Sequence, residues 1–299
     1  MHFRLALVLL FALPLSADYG EFLELTRDSS IDTSLKTAAE ATHAAYPELK
    51  REDLAITVID LTNPMSVVRG DYQGDAPFYP ASVIKIFFMA DVFGTNRENV
   101  GDMDRALEEM IVVSDNDATA YIVDILAKTA PEPTLEGEAL TNYVERRREI
   151  NRRFQKLGYT DNVSAMMKTW SFGPFGADLQ VLGKDRVDRN RLSTNATASL
   201  MYWIVNGRAP GADEMMALLE RPLAPQREDE NQVKEFIGAA LPSEARLWSK
   251  AGWTSEVRHD AAYIELPGGR KLILVIFTRG IADDVTLVPA VAKNVLAEL

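Results

Sequence analysis

The chain has 299 residues, with 32 Lys and Arg against 44 Asp and Glu, 3 His and no Cys, for a formal net charge of −12. Without Cys there are no disulfides, no thiolate zinc sites, no iron–sulfur clusters and no cysteine nucleophile. The acidic excess argues against a nucleic-acid binder, which needs a basic face. A composition of 47% hydrophobic and 25% charged residues is that of an ordinary globular chain, long enough for one large domain or two lobes with ample core.

Residues 1–17, MHFRLALVLLFALPLSA, read as a signal peptide. Arg4 supplies a positive start, Leu5 to Leu15 are an apolar run too short to span a bilayer, and Ser16 and Ala17 suit a cleavage site. Its removal takes away Arg4 and moves the formal charge from −12 to −13. The expectation is a soluble mature chain from residue 18, exported to a periplasm or secreted.

After Asp32 and Ser34, an Ala-rich helical stretch runs to Pro47. LAITVID (54–60) and SVVRG (66–70) read as a β-hairpin around Asn63 and Pro64. Helical segments follow at 82–93, 103–113, 116–128, about 138–156, 194–205, 212–220 and 231–241. Strand signals return at 246–252, 260–266 and 271–279, with Pro267-Gly268-Gly269 as a tight turn, and a helix closes the chain over 284–298. Short links between consecutive strands favour antiparallel pairing. The fold class is therefore α/β of the α+β type: a five-stranded antiparallel sheet flanked by both terminal helices, with an inserted all-helical lobe. The sheet lobe is expected over about 18–75 and 243–299, and the helical lobe over about 76–242. The stretch 158–192 is too long for an ordinary loop, which points to function or to further structure.

Two His remain beyond the leader, His43 on the Ala-rich helix and His259 just before a strand, and neither has a nucleophile elbow to complete a Ser-His-Asp triad. So few ligands imply no metal site, and no cofactor is implied. Chemistry gathers instead at Ser82-Val83-Ile84-Lys85, at the start of a helix that is apolar on nearly every side. The i, i+3 spacing puts Lys85 one turn from Ser82 on the same face. A serine hydroxyl needs a base, and a lysine becomes one when burial and nearby positive charge lower its pKa. A lysine inside an apolar helix is costly without such a reason. Two further elements are Ser114-Asp115-Asn116, which also reads as an ordinary helix start, and Lys250-Ala251-Gly252 on a strand, followed by Trp253-Thr254-Ser255.

In this order the three elements resemble the S-x-x-K, S-D-N and K-T-G motifs of the penicillin-recognising serine hydrolases, the family of class A β-lactamases and D-alanyl-D-alanine peptidases. The resemblance covers most of the mature chain and implies a β-lactamase/transpeptidase-like fold. It implies that Ser82 attacks the carbonyl of a β-lactam or a D-alanyl peptide to give an acyl-enzyme. Lys85 then accepts the proton and Ser114 relays one to the leaving nitrogen. Asn116, Lys250, Gly252, Trp253, Thr254 and Ser255 are implied as substrate-binding positions, with the backbone N–H groups of Ser82 and Trp253 as the oxyanion hole. The implied partner is a small β-lactam or cell-wall peptide.

The chain departs from the family pattern in three places. Ala251 replaces the usual hydroxyl residue. Ser82 and Ser114 are only 32 positions apart, a short spacing that implies a trimmed helical lobe. Class A enzymes also carry a deacylating Glu in a long loop after S-D-N. Here the stretch from Gly158 through Asp161 and Asn162 looks like the start of that loop, yet no Glu occurs between Glu149 and Glu214. The loop acids Asp178, Asp185 and Asp188 fall outside the family's pattern, so acylation without rapid class A-type deacylation is expected. The run Glu145 to Arg153 reads as a solvated helix face, with Glu149–Arg153 and Glu145–Arg148 as pairs. Glu228-Asp229-Glu230 reads as an exposed turn. Trp170, Phe172 and Phe175 read either as a groove lining or as packing of the loop onto the body. The competing functional readings are a D-alanyl-D-alanine carboxypeptidase or penicillin-binding protein, a muropeptide or penicillin sensor without turnover, and a small-ester esterase.

Overall fold

The computed structural model describes residues 19–160, 163–224 and 231–299. The leader-like segment 1–17, Asp161, Asn162 and the Glu228–Glu230 run lie outside the described residues. In chain order the elements are α1 (Tyr19–Glu24), β1 (Thr26–Arg27), α2 (Ser29–Ala45), β2 (Leu54–Asp60), β3 (Val68–Tyr72), α3 (Lys85–Gly94), α4 (Met103–Glu108), α5 (Asn116–Ala127), α6 (Gly137–Lys156), α7 (Gly176–Leu182), α8 (Thr194–Val205), α9 (Ala212–Leu219), β4 (Glu220–Arg221), α10 (Asn231–Lys234), β5 (Arg246–Trp253), β6 (Val257–Glu265), β7 (Lys271–Arg279) and α11 (Leu287–Glu298).

The strands form one sheet in the order β1-β3-β2-β7-β6-β5-β4. Its inner part, β3-β2-β7-β6-β5, is the antiparallel five-stranded sheet expected from the sequence. Among the described residues the sheet has seven strands rather than five. Two-residue segments add to the edges, β1 parallel to β3 and β4 antiparallel to β5. Two residues carry no readable alternation, so only the exposed edge groups of the sheet reveal them.

Alternation along the central strands explains how the sheet buries both faces. Leu54, Ile56 and Val58 of β2 share one face with Leu272, Leu274 and Ile276 of β7, and there they pack with Leu35 of α2 and Val288 and Val291 of α11. Ala55 and Ile59 of β2 and Ile273, Val275 and Phe277 of β7 point to the opposite face, into the core shared with α3, α5 and α8. Thr57 on that second face is buried and donates to Thr194 and Asn195 at the start of α8, each at 2.8 Å.

Several boundaries move for local reasons. Helix α2 begins at Ser29, upstream of Asp32, because the Asp28 carboxylate accepts from the Ser30 N–H and caps it. The expected helix 231–241 is broken. Phe236 is extended, and the Ile237 N–H donates to the buried Asp260 carboxylate instead of to a helical carbonyl. The long stretch 158–192 contains α7 and two antiparallel bridges, Phe78 with Leu192 and Ser164 with Arg191. His259 lies within β6 rather than before it. Among the described residues no helix is long and apolar enough to cross a membrane.

Ile276 is fully buried and pairs with Ile56 and Asp260 on its two sides. An Ile276→Ala chain is expected to lose about 2–5 kcal/mol of stability, read from urea denaturation, since the rigid sheet cannot collapse into the cavity.

Candidate active site

Ser82 sits in a single 3-10 turn, Ala81–Ile84, that feeds directly into α3 at Lys85. Helix α3 has no polar side: Ile86, Phe87, Phe88, Met89 and Val92 are all fully buried, and so is Lys85. The Lys85 ammonium is held by groups at the start of α5. It donates to the Ser114 carbonyl at 2.6 Å, the Asn116 Oδ1 at 3.0 Å and the Asp115 carbonyl at 3.2 Å, with the Ser114 Oγ at 3.3 Å.

A change in helical winding presents those groups to Lys85. Helix α4 passes into a π-helical turn over Glu109–Val113, and Ser114 follows in a left-handed conformation, φ 66° and ψ 32°. This turns its carbonyl and hydroxyl toward the cleft. The Asp115 carboxylate then caps α5 by accepting from the Ala118 N–H at 2.6 Å. The helix-start reading of the Ser-Asp-Asn triplet is therefore correct, and the same residues also line the site.

Strand β5 supplies the opposite wall. Lys250 is fully buried and donates to the Ser114 Oγ at 2.9 Å, the Gln232 Oε1 at 2.8 Å and the Ala251 carbonyl at 2.8 Å. The Ser114 hydroxyl thus bridges two lysines. Gly252, two residues on and on the same face as Lys250, meets the Ser82 turn itself. A Cβ there would stand 2.6 Å from the Ser82 N and 2.7 Å from the Val83 N. Only glycine lets β5 approach the Ser82 backbone this closely.

Burial pushes the Lys85 amine down to about 7, with Asp115 opposing. Lys250 is likewise lowered, by burial first and then by the neighbouring Lys85 and Arg221 charges. Asp260, a strand away on β6, is raised to about 7 by burial. His259 is pushed down to about 4 by burial and is therefore neutral at pH 7. Its Nδ1 accepts from the Thr278 N–H, which leaves the Nε2–H to donate to the Tyr79 carbonyl at 2.8 Å. It braces the segment leading into Ser82 and belongs to no triad.

The structure thus brings Lys85, Ser114, Asn116 and Lys250 into one hydrogen-bonded group, with Ser82, half-buried, backed against Gly252. Trp253, 42% exposed, lies over the Phe236 ring. The Thr254 hydroxyl accepts from the N–H groups of Glu256 and Val257, so it shapes the β5–β6 turn. Ser255 is exposed on that turn. Two contributors escape a reading of the sequence. Gln232 links Lys250 to the Val112 carbonyl, and Ser171 accepts from the Asn116 amide at 3.3 Å. Neither falls in a motif, so no sequence signal marks them.

The acids of the 163–192 stretch are engaged or remote. Asp178 accepts from Arg147 at 2.5 Å and from Lys168 at 3.1 Å, and Asp124 joins the same cluster. Asp188 lies 3.7 Å from Arg148, and Asp185 is exposed. The solvated-face reading of the charged helix α6 holds for Glu145, Arg148, Glu149 and Arg152 and fails for two residues. Arg147 is fully buried in the Asp178 cluster, and Arg153 clasps the buried Asp91 rather than pairing with Glu149. Phe172 and Phe175 do not pack onto the body: they are 86% and 71% exposed. Among the described residues no cluster of three or more His, Asp or Glu is arranged to hold a metal ion.

A serine on a buried turn, a lysine with a lowered pKa and a second serine between two amines define a serine hydrolase type of site. The model of the beta-lactamase enzyme family matches residues 102–299, more than half of the chain. The chain belongs to that family. The match includes Ser114, Asn116 and Lys250 and begins after Lys85. No curated protein matches the sequence. Among solved structures, a β-lactamase from Sphaerobacter thermophilus aligns at 19% identity with a TM-score of 0.60, over 87% of this chain and 96% of that one. A β-lactamase from Chitinophaga pinensis aligns at 14% identity and 0.62, over 88% and 97%. PBP-A aligns at 19% and 0.59, over 89% and 95%. At these identities the likeness is one of fold, the penicillin-recognising fold expected from the three motifs.

A Gly252→Ala chain is expected to lose about 1–3 kcal/mol, because the added methyl meets backbone rather than a movable side chain. A thermal melt coincident with wild type would contradict the close approach.

Proposed function

We propose that this chain is an exported serine hydrolase, acting through a Ser82 acyl-enzyme on β-lactams or D-alanyl peptides, with residues 18–299 as the catalytic unit. The observation that carries the reading is the Ser114 hydroxyl held between Lys250 at 2.9 Å and Lys85 at 3.3 Å, beside the Ser82 turn. Export is supported by the composition of residues 1–17. The leader is followed by no Cys, so no lipid anchor is proposed there.

In this mechanism Lys85, neutral, takes the proton from the Ser82 hydroxyl as its oxygen attacks the substrate carbonyl. The Ser82 and Trp253 N–H groups hold the oxyanion, with the Ser82 N–H at the start of the turn against Gly252. The C–N bond of the tetrahedral intermediate breaks as the Ser114 hydroxyl gives its proton to the leaving nitrogen, and the Lys85 ammonium returns a proton to Ser114. Lys250, held by Gln232 and the Ala251 carbonyl, faces the substrate carboxylate from β5, aided by Thr254 and Ser255. Asn116 receives the acyl side-chain amide while its Oδ1 positions Lys85.

Deacylation is proposed to be slow. Asp178, the buried acid of the loop, is spent on Arg147 and Lys168, and an ester is hydrolysed slowly without a base for the water. The same observation favours a second reading, a penicillin-binding protein, D-alanyl-D-alanine carboxypeptidase or sensor. A variant of PBP-A with a similar fold is described as an acyl-enzyme complex with penicillin G. An esterase would need Ser82 and Lys85 but not Lys250.

Intact mass after incubation with benzylpenicillin is expected to show one adduct on the wild-type chain and none on Ser82→Ala. A chromogenic cephalosporin is expected to give a burst near one equivalent and then slow turnover, and steady fast turnover would contradict slow deacylation. The acylation rate is expected to rise with pH through about 7 and then level. Lys85 has its pKa lowered to about 7, so the base form is lost as pH falls through that value. A rate that is flat from about pH 5 to about pH 8 would remove Lys85 as the base.

A further inference from the structure

Next to the Ser82 segment a cavity of about 310 Å³ opens against the 167–190 stretch. Its wall combines flat apolar surface from Tyr79, Trp170, Pro174 and Leu179 with the cationic ends of Arg186 and Arg189. Two observations tie it to the candidate site. Tyr79 lies three residues before Ser82, and its carbonyl is fastened by His259. Ser171, next to Trp170, accepts from Asn116, which in turn accepts from Lys85.

The charge on this wall is positive, although the chain as a whole carries −12. Lys168 also lines the cavity but is balanced by Asp124 at 2.8 Å and Asp178 at 3.1 Å. Arg189 lies 3.5 Å over the Tyr79 ring and reaches the exposed Glu256 at 3.4 Å. Asp185 is the wall's one carboxylate, and it is exposed to solvent. Arg186, solvent-exposed like Asp185, makes no ion pair among the described residues. Asp185 and Arg186 are both held at positive φ, 59° and 58°, a conformation that side-chain-bearing residues avoid and that gathers at ligand sites. An unpaired guanidinium beside aromatic and apolar surface, in a cavity of side-chain size, suits an anion on a short hydrocarbon stem.

We propose that this cavity is a subsite for the far end of the acyl group delivered to Ser82, and that it selects acyl chains ending in a carboxylate. The inference rests on the acyl-enzyme reading above and adds to it the class of acyl donor. Arg186 supplies the pairing charge, Arg189 is pre-set on Tyr79, and Trp170 and Leu179 cover the stem.

The test compares penicillins whose 6-amino group carries a glutaryl or adipyl chain with the terminal carboxamides of the same length. Two quantities are read: the acylation rate constant on the wild-type chain by intact mass, and the affinity for Ser82→Ala by titration calorimetry. The carboxylates are expected to be favoured about tenfold in both, the size of one charge-assisted contact. The preference is expected to fall to within about twofold in Arg186→Gln and in about 0.5 M salt. The salt measurement uses unaltered protein and so decides the matter even if the variant folds poorly. Equal reaction of carboxylate and carboxamide overturns the subsite and leaves the acyl-enzyme reading standing. Selective binding of carboxylates to Ser82→Ala without any wild-type adduct supports the subsite and overturns that reading. Neither binding nor adduct overturns both.

Discussion

Two fully buried lysines end on one serine hydroxyl, and much of the surrounding structure exists to make that arrangement tolerable. A buried ammonium is costly unless its donors are met. Lys250 has three acceptors in reach, the Ser114 Oγ, the Gln232 Oε1 and the Ala251 carbonyl. Lys85 faces carbonyls at the π-helical end of α4 and the start of α5, and burial lowers its pKa to about 7. The left-handed Ser114 and the π turn before it shape this contact, and the short helix α10 supplies Gln232 to it.

The sheet provides the rigidity the contact needs. Lys250 and Gly252 leave β5 on the face turned toward α3, and β5 is fixed by full antiparallel pairing to β6. β6 in turn supports the Ser82 turn through His259 and the Tyr79 carbonyl. The Ser82 backbone is therefore positioned by two adjacent strands, one through a side-chain hydrogen bond and one through the absence of a side chain at Gly252. A helix start resting on loops alone would not hold such spacing.

On the other side of the site, a buried network of Arg147, Lys168, Asp124 and Asp178 ties the 163–175 stretch to α5, α6 and α7. It anchors Lys168, two residues before Trp170, and engages Asp178, the buried acid of α7. The loop is thus anchored from below by charge while its upper surface, at Phe172 and Phe175, remains open. Asp178 is held there by Arg147 and Lys168.

The linear chain determined the elements with strong periodicity and the motifs that carry chemistry. LAITVID and KLILVIFTR appear as β2 and β7 at their expected bounds, because short apolar runs rich in β-branched residues and bounded by turn signals form strands buried on both faces. The turn between Ser82 and Lys85 was legible because i, i+3 spacing is local geometry. Everything that depended on a distant partner was decided by tertiary structure. Arg147 looks like its solvated neighbours on α6 until Asp178 arrives from another segment, and NQVKEFIGAAL looks like one helix until Asp260 captures the Ile237 N–H. Gln232, Ser171 and the edge strands β1 and β4 carry no local pattern at all. The reason is the range of the forces: periodicity and capping act within a few residues, whereas pairing a buried charge depends on which groups the fold brings within hydrogen-bond reach.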